Sequence, residues 1–215
     1  MNFAAARRNM VESQLRTNRV TDERLLAAFE AVPRELFLPE PMRSIAYVDD
    51  DLEVAPGRWM MEPMVLARLL QAAEIRPTDV ALSIGCGTGY CCAILARVAN
   101  TVVAVESDGG LARRAGRILS ELSIDNVVFV EGRLAEGNPS QAPYDVILID
   151  GAVETVPEEI QRQLAEGGRL VTVVRGTVGR ATLMTRRGNT VSSRVLFDAA
   201  VPVLPDFALE PGFVF

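Results

Sequence analysis

Gly85, Gly87 and Gly89, in the run IGCGTGY, follow a short apolar stretch and open a helical one. Glycine at alternate positions lets the backbone turn tightly and bring peptide N–H groups against a ligand beside a helix N-terminus. Glu106 closes the next apolar run, TVVAVE, at about the twenty-residue separation from which a carboxylate accepts hydrogen bonds from a ribose diol. Together these residues point to a nucleoside ligand, although a glycine set after a strand also serves as a plain structural turn. Tyr90 stands where a dinucleotide fingerprint carries its third glycine, so the order Gly-x-Gly-x-Gly leans toward S-adenosylmethionine over NAD.

A second stretch with chemical content is GRWMMEP, Gly57 to Pro63, just after the acidic run DDDLE. One Trp, two adjacent Met and one carboxylate between Gly and Pro read as a loop, either an apolar plug or one wall of an active site. Arg58 is either a cation facing a substrate or a solvated surface residue. Cys86, Cys91 and Cys92 have no metal-ligand spacing and read as small buried hydrophobes of a reducing compartment. The chain contains no His, and all 22 of its basic residues are Arg. Serine–histidine hydrolysis, histidine-ligated zinc, lysine Schiff bases and the phosphate-loop lysine are therefore excluded. A reaction that needs no strong base gains weight.

The elements that must position these residues are legible in outline. At 215 residues, 49% apolar and 23% charged, the chain suits one sizeable core with a modest appendage. Its net charge of −6 and lack of a basic run disfavour nucleic acid as a partner. The first ten residues lack the apolar core of a signal peptide and no run approaches membrane-spanning length, so the expected setting is cytoplasmic, away from membranes. Two amphipathic helices are expected first, AARRNMVESQLRTN and TDERLLAAFEAV, the second capped by Thr21 and ended by Pro33. A packed, proline-punctuated connector follows, and Pro63 then starts a helix with Val65, Leu66, Leu69, Leu70 and Ala73 on its apolar face.

From there helices alternate with apolar strands, DVALSIG, TVVAVE, NVVFVEG, YDVILID and GGRLVTVV, which predicts a parallel sheet covered on both faces. ATLMTRRGNTVSSRVLF predicts a closing antiparallel hairpin turning at Gly188 and Asn189. The expected fold class is α/β: Rossmann-like, doubly wound, a mostly parallel seven-stranded sheet with an N-terminal helical appendage. The expected division is a helical and connector subdomain over 1–62 and a cofactor-binding domain over 63–215.

VTDERLLAAFEAVPRELFLPE, then AYVDDDLEV, then PMVLARLLQAAEIRPTDVALSIGCGTGYCCAILARV, NVVFVEG, APYDVILIDGA and QLAEGGRLV resemble, in order and spacing, the protein-L-isoaspartate O-methyltransferase family. The resemblance covers roughly Val20 to Val174, and VPRELFLPE followed by AYVDDDL is its most specific part. It implies a class I methyltransferase fold and methyl transfer from S-adenosylmethionine to the side carboxylate of an isoaspartyl or D-aspartyl residue in a protein. Such a carboxylate is already ionised at neutral pH, so the attack asks for orientation and desolvation more than for a base.

The same resemblance marks departures. The family's serine and glutamine in the glycine-started loop correspond to Met61 and Glu62, which removes an O–H donor and adds a negative charge. Trp59, Met60, Met61 and Met64 would line the active-site mouth, with Arg58, Trp59 and Met60 on the substrate. Ser83 takes the place of an acidic residue facing the methionine amino group, and Arg133 that of an aspartate facing the adenine amino group. Asp150 ends its strand where the family carries a small or hydroxyl residue, either solvated or a replacement contact to cofactor or substrate. Alternatives to the repair methyltransferase are a catalytically inactive interaction or cofactor-sensing module and a methyltransferase of small molecules. The tail LPDFALEPGFVF, outside the family pattern, either covers the substrate groove or packs on the sheet with its Phe residues, and packing is the expectation.

Overall fold

The computed structural model describes residues 2–208, so the last residues of the tail, 209–215, lie outside the description. α1 (Phe3–Met10) is capped by the Asn2 side chain, which accepts from the Ala5 N–H at 3.1 Å. It runs on through a π turn (Val11–Leu15) and a 3-10 turn (Arg16–Asn18), so the predicted first helix is one rod with an irregular second half. α2 (Glu23–Ala31) is capped by Asp22 instead of Thr21. The Asp22 carboxylate accepts from the Arg24 and Leu25 N–H groups, whereas Thr21 donates its own N–H to Gln71 at 2.6 Å. Val32, extended ahead of Pro33, ends the helix.

The connector folds as two 3-10 turns, Arg34–Phe37 and Glu40–Ile45. GRWMMEP is not a loop: Arg58–Met60 forms β2, paired antiparallel with β1 (Leu52–Ala55) across a turn at Gly57. A strand of three residues is too short for its alternation to show in sequence. That alternation buries Arg58 and Met60 and leaves Trp59 half-buried. α3 (Pro63–Ala72) follows, with proline in its first turn and Val65, Leu66, Leu69 and Leu70 buried.

The main sheet contains β3 (Val80–Ile84), β4 (Thr101–Glu106), β5 (Val127–Glu131), β6 (Tyr144–Val153), β7 (Leu164–Arg175), β8 (Gly179–Arg187) and β9 (Thr190–Asp198). Their spatial order is β5-β4-β3-β6-β7-β8-β9, parallel up to β7 and antiparallel through the β8–β9 hairpin. α4 (Tyr90–Val98), α5 (Gly109–Glu121) and α6 (Glu158–Arg162) lie on the crossovers. One apolar cluster joins Leu26, Phe29, Met60, Leu66 and Ile94 to one face of the sheet, and another joins Leu82, Ile149, Ile160 and Leu204 on the other.

The chain runs outward from β3 through β4 to β5 and returns to β6 on the opposite side of β3. The carboxyl ends of β3 and β6 therefore flank a switch point, where an open α/β sheet leaves a crevice. IGCGTGY sits there. Gly89 caps α4 at φ +92°, and a β-carbon on it would stand 2.9 Å from that of Ala115 in α5. Gly188, at φ +58° in the β8–β9 turn, has open space around it. Gly89→Ala is therefore expected to cost about 2–4 kcal/mol in a urea melt, left-handed strain plus overpacking, and Gly188→Ala only about 1–2 kcal/mol.

Candidate active site

Glu106, at the end of β4, is fully buried, and both of its oxygens are engaged. Oε2 accepts from the Gly87 N–H at 2.8 Å and Oε1 from the Asp108 N–H at 3.0 Å. Arg58 of β2 closes on the same carboxylate with both terminal nitrogens, Nη1 to Oε1 and Nη2 to Oε2, the latter at 2.5 Å. Arg58, expected to face substrate or solvent, is instead 6% exposed and forms a buried ion pair with the expected ribose ligand. The pleat is the physical reason, because it sends Arg58 and Met60 to the buried face of β2 and Trp59 to the other.

The glycine turn is covered as well. Gly85 donates to the Val105 carbonyl at 2.9 Å and Gly89 to the Cys86 carbonyl at 2.8 Å. Leu204, from the segment after β9, lies 2.8 Å from where a Gly85 β-carbon would be and 2.6 Å from that of Gly151. Ser83 is fully buried on β3 with its hydroxyl 3.3 Å from the Cys91 sulfur. Arg133 points to solvent and pairs with Glu136 at 3.1 Å, so it is not gathered with Glu106 and the glycines. The neighbouring Leu134 N–H is taken by the Asp206 carboxylate at 3.0 Å.

On the opposite wall Asp150 is buried at the carboxyl-terminal half of β6, and its Oδ1 has no hydrogen-bond partner among the described residues. Burial pushes its carboxyl up to about 6 despite the opposing pull of the Cys91 thiol, Arg58 and Arg34. A cavity of about 10 Å³ separates Asp150 from Trp59, Met61 and Leu204, no more than one water needs. Met60, expected at the mouth, lies in the core beneath the hairpin.

Trp59 borders a wider, open cleft of about 590 Å³, together with Asp50, Asp51, Arg175 and Val178. At its rim the Glu62 N–H donates to the Asp51 carboxylate at 2.7 Å. Burial, then the neighbouring Asp51, Asp49 and Asp50, raise the Glu62 carboxyl to about 7. Asp51 rises to about 6, mainly through burial.

Several positioning residues had no individual signal in the sequence. Arg34 is fully buried, donates to the carbonyls of Ala46 (2.8 Å) and Met61 (2.9 Å), and lies 4.7 Å over the Tyr90 ring. The Tyr47 hydroxyl donates to Glu35. VPRELFLPE and AYVDDDL are thus two halves of one clasp that fixes the exit of the hairpin. Their recurrence together was the available signal. Their pairing was not, because bonds from side chain to distant backbone have no sequence period.

A family model described as protein-L-isoaspartate(D-aspartate) O-methyltransferase matches residues 6–203. Protein-L-isoaspartate O-methyltransferase 1 of Rhodopseudomonas palustris is 40% identical over 169 residues, 79% of this chain and 69% of the relative. The protein-L-isoaspartate O-methyltransferase of Koribacter versatilis is 38% identical over 212 residues, 98% of this chain and 96% of the relative. A solved protein-L-isoaspartate O-methyltransferase superposes with a TM-score of 0.80 at 28% identity, covering 92% of this chain and 65% of its own. A Plasmodium falciparum structure in complex with S-adenosyl-L-homocysteine shares the fold at a TM-score of 0.79 and 19% identity, covering 93% of this chain and 98% of its own. Among the described residues no helix is long and apolar enough to cross a membrane.

The raised Asp150 carboxyl carries a sign for stability. Above pH 6 the side chain is charged folded and unfolded, and the folded state bears the burial penalty; below about 4 it is neutral in both. Asp150→Asn should therefore raise stability by about 2 kcal/mol at pH 7.5, with the gain shrinking to nothing as pH falls from 6 to 4. Chemical denaturation of both proteins across that range measures it.

Proposed function

Because this chain belongs to the protein-L-isoaspartate(D-aspartate) O-methyltransferase family, we propose that it methylates the side carboxylate of an isoaspartyl or D-aspartyl residue in a protein or peptide, with S-adenosylmethionine as donor. The observation that carries this reading is the seat at Glu106: a carboxylate at the end of the second sheet strand, aimed by the Gly87 and Asp108 N–H groups beside a helix N-terminus. The residue types suit a nucleoside. Their present arrangement does not, because Arg58 saturates Glu106, Asp206 takes the Leu134 N–H, and Leu204 leaves about 10 Å³ beside Gly151.

The acceptor side is read from the open cleft. Trp59 offers an apolar wall and Arg175 a cation to a peptide bearing an extra carboxylate. Without His or Lys any general base in this chain is a carboxylate, Tyr or Cys, and an ionised acceptor asks for none. Met61 supplies no hydrogen bond to that carboxylate, so Asp51, Glu62 and Asp150 set its local charge. In their protonated forms they cease to repel it, and Asp150 can then donate.

Incubation with labelled donor should give base-labile methyl ester on an isoaspartyl peptide and none on its aspartyl twin. Equal labelling of both, or of neither, overturns the assignment. With the raised carboxyls of Glu62 (about 7) and Asp51 (about 6), methylation should be faster at pH 6 than at pH 8. Met61→Ser with Glu62→Gln should raise the rate at pH 8, by roughly ten-fold or more for one restored donor, and flatten the profile.

A further inference from the structure

The occupants of the nucleoside seat are all segments of this same chain, and each presents the chemistry of what it displaces. A ribose diol offers two O–H donors to a carboxylate; Arg58 offers two N–H donors to the two oxygens of Glu106. An apolar ring face fills the space against glycine; the Leu204 side chain fills it against Gly85 and Gly151. A backbone N–H on the loop after β5 meets an acceptor, and that acceptor is the Asp206 carboxylate beside Leu134.

From this coincidence we infer that the β1–β2 hairpin and the segment Pro202–Asp206 form an intramolecular plug, with Arg58 as a surrogate for the ribose, and that the donor binds only when the plug withdraws. The geometry allows withdrawal by pieces. Among the described residues β1 and β2 pair only with each other and lie outside the main sheet, so lifting them breaks no rung of it. The other segment is attached beside β6 by the Ala152 N–H to the Pro202 carbonyl at 3.0 Å and the Leu204 N–H to the Ala152 carbonyl at 2.9 Å. This inference rests on the reading of Glu106 as the donor's seat and is independent of the acceptor.

Donor affinity is then a contest between Arg58 and the ribose for one carboxylate, and the apparent affinity is reduced by the fraction of molecules held closed. Trp59, the chain's one Trp, adjoins Arg58 on β2 and reports hairpin movement. The test is calorimetric titration with S-adenosylhomocysteine, with no acceptor present, of the natural protein, Arg58→Ala and Leu204→Ala, while Trp59 emission is followed. Expected are a shift in Trp59 emission as the natural protein binds, and affinity tighter by about ten-fold or more in Arg58→Ala, with a smaller gain in Leu204→Ala. Equal or weaker affinity in an Arg58→Ala protein that still melts cooperatively overturns the plug, as does saturation of the natural protein with unchanged Trp59 emission. If Arg58→Ala fails to fold, Leu204→Ala decides, and equal or weaker affinity there overturns it. Absence of binding in every protein also overturns it, since opening should restore the seat. Failure of isoaspartyl methylation with these affinities intact would overturn only the acceptor.

Discussion

A carboxylate buried at the end of a sheet strand must be compensated, and the region around the switch point is organised by how this chain compensates Glu106. Two peptide N–H groups aim it and one guanidinium neutralises it. Removing one partner of such a pair typically costs about 3–5 kcal/mol, because the remaining charge is left in a poorly polarisable site. The pair fixes the depth of the hairpin, since Arg58 can reach Glu106 only if β2 lies against the glycine turn. Arg34 then holds the hairpin's exit through the Met61 carbonyl, and Asp51 holds the next peptide through the Glu62 N–H. Fold and site are coupled through that one contact.

The two sides of the site carry opposite charge problems. At the end of β4 a cation already satisfies the carboxylate. Around Trp59 and Met61, Asp51, Glu62 and Asp150 are unpaired by any cation at hydrogen-bond distance among the described residues, and burial raises the carboxyl of each. A chain without His or Lys has only carboxylates and Arg to resolve both. Its solution is to pair the deepest carboxylate and to raise the others above the usual carboxylate range.

The strands of the sheet were readable because each is an apolar run of strand length between turn residues, and the helical period of α3 placed its buried face residue by residue. The glycine turn and Glu106 were readable for a related reason: strand, turn and helix come in one stretch of chain. What escaped was of another kind. β2 is too short to show its alternation, so the sequence suggests substrate or solvent for Arg58 where the pleat buries it. The cap fell on Asp22 because the helix begins one residue later than Thr21 would require. Arg34, Asp51, Leu204 and Asp206 act across long separations in sequence, where local pattern carries no information.

The covering of the glycine turn also has an order in time. β3 to β6 and every glycine of the crevice are complete once Val153 has been added, whereas Leu204 and Asp206 come from a segment made some fifty residues later, at roughly 5–20 residues per second. For that interval a growing polypeptide contains the residues of the hairpin but neither the leucine nor the aspartate that covers the other half of the crevice. The glycine turn is thus covered on one side by residues that precede it in the chain and on the other by residues synthesised well after it.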